Sequence, residues 1–265
     1  MNLLLLLGTG FAQAQDAEPI LRTLPANVPR LQLETGRSSV TVRNVPGAES
    51  SQVTITPERW HEGCEVSFSG DATLAVAQIL EDGAIASRRC SAAIDIDIAG
   101  DTTVEVTMRQ GLINAEALRS PLTVSLKRGA IFGVAAQADV AIQHMGLVRL
   151  RGLSAPSSAT VGVGRIELAY AQDVAGDILA ETKVGRIRVQ LPYGTLIDDA
   201  STPMLGRTHS AVPHVAGHPT RLLAKTGVGS VQVQTDLTAL TASLQAQPPA
   251  TADGGQEDEA GSSGM

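Results

Sequence analysis

Apolar and polar residues alternate with a period of two through most of residues 30–236. Clear examples are the segments 94–98, 103–107 and 122–126, which have the sequences IDIDI, TVEVT and LTVSL. Successive side chains of a β-strand point to opposite faces of a sheet, so this alternation predicts short strands with one buried face. No helical pattern separates these segments, which disfavours folds that alternate strands with helices. The pattern therefore predicts an all-β chain.

Glycine recurs at regular intervals in the second half of this alternating region. The glycines that share one register are Gly111, Gly129, Gly146, Gly164, Gly185 and Gly229. Their spacings are 18, 17, 18 and 21 residues, followed by 44, which equals about two periods or one period with an insertion. After each glycine, the second position is Ile or Val and the third position is mainly polar. Six segments in one register indicate an internal repeat.

The repeat predicts a single-chain β-solenoid, in which each period forms one rung of two short strands and two turns and stacks on the next rung. Inward side chains are expected at Val148, Ile166, Ile187 and Val231, and outward ones at Arg149, Glu167, Arg188 and Gln232. With rungs about 4.8 Å apart, outward residues of opposite charge become neighbours. Each glycine fits a tight bend or a backbone position with positive φ. A β-sandwich of short strands is the alternative fold.

Motifs at the end of the repeat resemble a known family. Thr-x-Val-Gly-x-Ile-x-Val at 182–189 recurs at 226–233 with Val in place of Ile, and the exit segment LPYG follows at 191–194. Together with the aligned glycines, these motifs resemble the bacterial putative-adhesin β-strand repeat family, a domain of unknown function, over residues 30–235. The resemblance implies an exported cell-envelope β-solenoid and carries over no catalytic residue. Residues 194–224 depart from the strict repeat.

The chain divides into five segments by composition. Residues 1–14 combine an apolar leucine run with an Ala-x-Ala site, which is typical of a cleaved secretory signal peptide. An N-terminal linker is expected at 15–29 and an irregular β-rich part at 30–103. The β-rungs are expected at 104–236, with a loop insertion at 194–224. Residues 237–265 are expected to form a short apolar stretch followed by a disordered acidic tail. No later segment is apolar enough for a membrane span, so we expect an exported protein of the periplasm or the extracellular space.

The cysteines and the charge distribution bear on the compartment and on the partners. Cys64 and Cys90 are the only two cysteines, and in an oxidising compartment they are expected to form one structural disulfide worth about 3 kcal/mol. The net charge is −7, and residues 247–265 hold four acidic residues and no basic one. Without this tail the net charge is −3, which argues against a nucleic-acid or anionic-lipid partner.

Candidate chemistry is sparse along the chain. His209, His214 and His218 are the candidates for a metal site, but their spacings of five and four match no established ligand motif. A solvated loop is the favoured interpretation, and no cofactor is expected. The acids available to a polysaccharide-active β-helix enzyme are Asp95, Asp97, Asp173, Asp177 and Glu181. Only 2% of the residues are aromatic, so platforms for stacking sugars are scarce.

These features favour an exported, non-enzymatic cell-envelope protein, an adhesin-like β-repeat scaffold for binding or structural interaction. The expected partner is a protein or a surface polymer, and self-association through exposed strand edges at the solenoid ends is a further option. The alternative is a secreted polysaccharide-active β-helix enzyme, either a lyase or a hydrolase. Acidic residues aligned in one groove would favour that enzyme.

Overall fold

The chain folds as a long stack of β-strands. The computed structural model describes residues 18–24, 28–60, 63–70, 74–81 and 90–236. The predicted signal peptide and the predicted acidic tail lie outside these ranges. Within them the chain forms fourteen strands and no helix, and so no helix able to cross a membrane. The strands are β1 Ile20–Thr23, β2 Arg30–Asn44, β3 Gln52–Arg59, β4 Cys64–Gly70, β5 Ala75–Glu81, β6 Ser91–Ile98, β7 Thr103–Leu118, β8 Leu122–Ala135, β9 Ala138–Leu153, β10 Ser158–Tyr170, β11 Gly176–Pro192, β12 Asp198–Asp199, β13 Thr202–Ser210 and β14 Thr220–Asp236.

The central strands are parallel neighbours in the order β2, β7, β8, β9, β10 and β11. Only three residues join the end of β7 at Leu118 to the start of β8 at Leu122. The start of β8 lies beside the start of β7, because the two strands are parallel. If β7 were straight, its 16 residues would be about 50 Å long, and three residues could not cover that distance back to its start. Each strand must therefore wrap through one turn of a coil, which confirms the predicted all-β solenoid. The β-sandwich alternative, which is built from antiparallel strands, does not fit these parallel pairs.

In β7 to β11 and in β14, each rung is one strand of 13–17 residues that turns a corner at its glycine. In β7 the residues at 104, 106 and 108 are buried before Gly111, whereas those at 113 and 115 are buried after it. The buried positions change from even to odd numbers, so the strand changes the face that it turns inward. We call the glycine and the two residues before it the glycine corner. The two short strands predicted for each rung are thus joined into one.

The interior of the coil is filled by aliphatic side chains from both arms of each rung. On the arm after the glycine, Val148, Ile166, Ile187 and Val231 are buried, as the alternation predicts. On the arm before it, Val140 is one of a similar set. Equivalent positions pair in register from rung to rung, so each side chain stacks on its counterpart. Branched aliphatic residues suit this pleated interior.

The N-terminal strands extend the solenoid at one end. β2 is a full rung, and its first half pairs with β5 while its second half pairs with β6, both in parallel. β4 then adds to β5 in antiparallel fashion, and β3 and β1 continue from β6 in the same way. The predicted disulfide between Cys64 and Cys90 is confirmed, and it joins β4 to the residue before β6. It thereby links the two arms that extend from β2.

The opposite end of the solenoid corrects the prediction of a loop insertion at 194–224. This segment contains β12 and β13, and β13 forms a rung in parallel register with β14. β14 also pairs with β11, so the last of the described strands lies between two earlier ones. The sequence pattern does not reveal the β13 rung, because Thr208 stands where the other rungs carry Ile or Val. In the structure this strand is almost wholly exposed.

Candidate functional site

At the glycine corner, two consecutive residues before the glycine are exposed, which breaks the alternation of inward and outward side chains. In β7 these residues are Arg109 and Gln110, and in β8 they are Lys127 and Arg128. The register of β8 against β9 shifts at the same place, after Leu126. The corner therefore turns pairs of side chains to the outside on successive rungs.

Close contact between rungs requires glycine at the corner. A Cβ atom on Gly164 would lie 1.8 Å from the carbonyl oxygen of Gly146, and one on Gly185 would lie 1.7 Å from that of Gly164. The φ angles of 149° at Gly164 and 151° at Gly185 are a second requirement, because residues with a side chain rarely adopt them. Gly111 and Gly146 do not have a positive φ, so close contact alone explains the glycine there.

A cleft lies along this corner between β2 and β9. Its volume is about 530 Å³. Its lining residues are Gly36, Arg37, Arg109, Gln110, Lys127, Arg128 and His144. They come from four consecutive rungs, since β2, β7, β8 and β9 are neighbours in the sheet. Three arginines and one lysine are among them, and we call this site the basic cleft.

Most cations of the basic cleft have no carboxylate partner. Arg37, Lys127 and Arg128 form no ion pair within the part of the chain that the structure describes. Some arginines elsewhere on the solenoid do form ion pairs, and the Arg43 guanidinium lies 2.6 Å from the carboxylate of Asp97. The cleft thus concentrates uncompensated positive charge on a chain with a net charge of −7.

Two carboxylates lie beside the basic cleft. Glu34 and Glu58 each line an adjoining cavity of about 390 Å³. The Glu34 carboxylate accepts hydrogen bonds from the side-chain amides of Gln32 and Gln78, at 3.1 and 2.7 Å. Neither glutamate forms an ion pair with a cation of the cleft among the described residues. The cleft is therefore bordered by acids that form no ion pair with Arg37, Lys127 or Arg128.

The outward column after the glycine carries the predicted ladder of charges. Glu167 pairs in register with Arg149 on one side and with Arg188 on the other, and its carboxylate lies 2.6 Å from the Arg149 guanidinium. Partial burial raises the pKa of Glu167, but the hydrogen bond from Arg149 and the charges of its arginine neighbours outweigh this effect and leave the pKa below its ordinary value. Arg188 donates to the Gln232 side chain at 3.1 Å. In this column the side chains bind one another, unlike those of the basic cleft.

Beyond the basic cleft, the glycine corner becomes apolar. The exposed residues immediately before the glycines of β9, β10, β11, β14 and β13 are Met145, Val163, Val184, Val228 and Leu205. Met145 is 66% exposed and Leu205 is 64% exposed. With about 4.8 Å between rungs, these side chains form an apolar ridge about 20 Å long. One corner of the solenoid thus has a basic half and an apolar half.

The structure does not bring the three candidate metal ligands together. His209 lies on the exposed edge strand β13. The Nδ1 atom of His214 accepts a hydrogen bond from the backbone N–H of Asp199 at 3.0 Å, and that of His218 accepts one from the N–H of Thr220 at 3.2 Å. Among the residues that the structure describes, no group of three His, Cys, Asp or Glu side chains is placed to hold a metal ion.

The acidic residues considered for a β-helix enzyme fall into two groups that lie several strands apart in the sheet. Asp95 and Asp97 are on β6, and Asp97 is engaged in an ion pair. Asp177 and Glu181 are on β11, several strands away in the sheet. Asp173 lies in the connection between β10 and β11. These carboxylates are therefore not aligned in one groove.

The basic cleft is the feature that the sequence-based interpretation does not identify. That interpretation considers the residues after each glycine, whereas Arg109, Lys127 and Arg128 occupy the two positions before it. Arg37 is harder to find, because Ser38 follows it where the later rungs have glycine. The net charge of the chain, which disfavours a nucleic-acid or anionic-lipid partner, does not reveal this local concentration of cations. The basic residues directly before Gly111 and Gly129 could have indicated part of the cleft from the sequence, whereas no pattern in β2 points to Arg37.

No protein-family model and no curated protein matches the chain. The chain is similar to the solved structure of a putative cell adhesion protein from Clostridium sporogenes, with 12% identity, coverage of 83% of this chain and 99% of that chain, and a TM-score of 0.39. It is also similar to a putative adhesin from Bacteroides fragilis, with 15% identity, coverage of 82% and 97%, and a TM-score of 0.39. A third match is a putative adhesin from Parabacteroides distasonis, with 13% identity, coverage of 83% and 98%, and a TM-score of 0.32. These bacterial names agree with the family that the repeat motifs resemble, and at these scores they carry no argument about the site.

Proposed function

We propose that this chain is an exported, non-enzymatic cell-envelope protein with an adhesin-like role, whose solenoid is a scaffold for binding a surface polymer or a protein. The observation that supports the proposal is the basic cleft, where side chains of four consecutive rungs face one depression. Strands hydrogen-bonded on both sides hold such side chains more rigidly than a loop does. The resemblance of the repeat motifs to the putative-adhesin family supports the same role.

Export is supported by two features of the chain. Residues 1–14 have the apolar run and the small-residue site of a secretory signal. The disulfide between Cys64 and Cys90 is of a kind that persists in oxidising compartments. Fusion of residues 1–29 to an alkaline phosphatase that is active only after export tests this part of the proposal. We expect reporter activity, and an inactive reporter retained in the cytoplasm would overturn the assignment of export.

Binding and turnover are tested together on one panel of polymers. The full chain is incubated with immobilised neutral polysaccharides (dextran and mannan), acidic polysaccharides (polygalacturonate and hyaluronate) and an extracellular-matrix protein. We expect saturable binding to at least one polymer with no release of shorter or unsaturated products. Formation of shorter or unsaturated products would contradict the non-enzymatic role and would favour the alternative function of a polysaccharide lyase or hydrolase. Absence of binding to every member of the panel would overturn the proposed function.

A further inference from the structure

The cations of the basic cleft are stacked rung upon rung along the axis of the solenoid. Gln110 pairs in register with Arg37 on one side and with Arg128 on the other. Arg109 and Lys127 occupy the adjacent corner position of β7 and β8. With rungs about 4.8 Å apart, positive charges follow one another at intervals of one or two rungs. A linear ligand that lies along the axis therefore meets a cation at nearly every step.

The charge of the cleft is accessible to such a ligand. Arg37, Lys127 and Arg128 are exposed, and no ion pair within the described part of the chain engages them. A guanidinium binds a carboxylate or a sulfate with two parallel hydrogen bonds, and an ammonium acts as a point charge. The cleft is therefore suited to a ligand whose anionic groups are spread along its length.

The lining of the cleft distinguishes between classes of polyanion. Its residues include no Phe, Tyr or Trp, so it lacks the stacking platform that single-stranded nucleic acids use. The lining of the cleft contains no apolar side chain, and the apolar ridge begins only at the far end of the cleft with Met145 on β9. Proteins that bind anionic membranes instead insert apolar side chains directly below a basic rim. A chain of uronic acids carries one carboxylate per sugar, and the length of one sugar is close to the rung spacing of about 4.8 Å.

We infer that the basic cleft binds a linear acidic polysaccharide, with the sugar chain parallel to the solenoid axis and its carboxylates paired with Arg37, Lys127 and Arg128. The inference rests on the proposed binding function and narrows the partner to carboxylate-bearing sugars. About three or four sugars fit along the four rungs that line the cleft. The polymer extends beyond the cleft, so no sugar end group is required for binding.

The test measures binding of a fluorescently labelled oligogalacturonate to the full chain by fluorescence anisotropy. Replacement of two exposed cations in K127Q/R128Q is expected to weaken binding at least about tenfold, because two charge-assisted contacts are lost. The matched control is K183Q/R186Q, which removes two exposed cations from the corner region of β11, outside the cleft, and is expected to change the Kd by less than about twofold. The conservative variant K127R/R128K is expected to retain binding. Circular dichroism and thermal melting check that all three variants fold.

Further arms identify the class of ligand. Raising NaCl from about 0.05 M to about 0.5 M is expected to weaken binding strongly, because the Debye length shortens severalfold. Binding of single-stranded DNA or of anionic phospholipid vesicles more tightly than oligogalacturonate would overturn the choice of a polysaccharide. Equal loss in K127Q/R128Q and K183Q/R186Q would overturn the placement of the site. Binding of neutral dextran alone, insensitive to salt, would overturn this inference while leaving the proposed scaffold function intact.

Discussion

Gly206 pairs in parallel register with Gly229, which follows it in the sequence, and Gly229 pairs in turn with Gly185. The rung formed by the earlier residues, β13, thus lies outside the rung formed by the later residues, β14. Gly206 thus divides the spacing of 44 residues between Gly185 and Gly229 into intervals of 21 and 23. The rungs β13 and β14 are stacked in the reverse of their order in the sequence. β14 is held by rungs on both sides, whereas β13 has only β14 as a full neighbour in the described part of the chain.

This arrangement predicts a difference in local stability between the two strands. Backbone amides of β13 at Thr202–Ser210 are expected to exchange with solvent at least about tenfold faster than those of β14 at Thr220–Asp236, because an edge strand with exposed side chains opens without disturbing the core. Hydrogen exchange followed by mass spectrometry or NMR measures the two rates. Equal protection of both strands would show that something covers the outer edge of β13 in solution.

Substitution of a corner glycine tests the close contact between rungs. Gly185→Ala is expected to lower the free energy of unfolding by about 3 kcal/mol, because the new Cβ meets a carbonyl oxygen at 1.7 Å and the backbone has a positive φ. Gly194→Ala is the control, since Gly194 also has a positive φ but no atom within 4 Å of its Cβ position, and about 1 kcal/mol is expected. Urea unfolding measures both, and equal effects would mean that rung contact is not what requires glycine.

The ion pair of Glu167 predicts a pH-dependent contribution to stability. Its pKa is lowered in the folded chain, so the carboxylate stabilises the fold above its unfolded pKa of about 4.3, and this contribution is lost as the pH falls through the lower folded value. Glu167→Gln is expected to destabilise the chain by about 0.5 kcal/mol at neutral pH, because the pair is partly exposed, and by progressively less in acid. Thermal melting from neutral to acid pH measures this trend, with Glu49→Gln on an exposed loop as the control. A difference that grows towards low pH would contradict the assignment.

The hydroxyl of Tyr170 is buried and has no hydrogen-bond partner among the described residues. The nearby Ser157 hydroxyl donates its proton to the Ala155 carbonyl and accepts from the Ala138 N–H, so it has no proton to donate to Tyr170. Burial raises the pKa of Tyr170 more than the Ser157 hydroxyl lowers it, so the group stays neutral, and the hydrogen bond that the phenol hydroxyl does not make destabilises the fold. Tyr170→Phe is expected to raise the free energy of unfolding by about 1 kcal/mol, while Tyr193→Phe at an exposed position leaves it unchanged. A lower stability of Tyr170→Phe in chemical denaturation would reveal a partner for the hydroxyl.

Reduction of the disulfide between Cys64 and Cys90 tests how much it stabilises the N-terminal end of the solenoid. It closes a loop with a sequence separation of 26 and is expected to contribute about 3 kcal/mol. Guanidinium unfolding with and without a reductant measures the loss, and the double variant C64S/C90S is the control, because its stability is insensitive to reductant. An unchanged unfolding midpoint after complete reduction would contradict this prediction.

Much of the fold follows from patterns in the sequence between near neighbours. Alternation predicts the strands, and the glycine register predicts which residues point inward, because both depend on backbone geometry within one rung. The pairing of Cys64 with Cys90 follows because the chain has no other cysteine. The strand β13 escapes the pattern, since Thr208 and Ser210, which pair in register with the buried Val231 and Val233, are polar and exposed.

The sequence by itself determined that this protein is an all-β solenoid whose repeat rungs turn at glycine. Only the tertiary structure decided that β14 lies between β11 and β13, and that Arg37 shares a cleft with Arg109, Lys127 and Arg128. The physical reason is that alternation and glycine spacing are set within a rung, whereas the order of rungs and the meeting of side chains depend on which strands stack. Arg37 reaches the cleft because β2 pairs with β7, and nothing local to β2 encodes that contact.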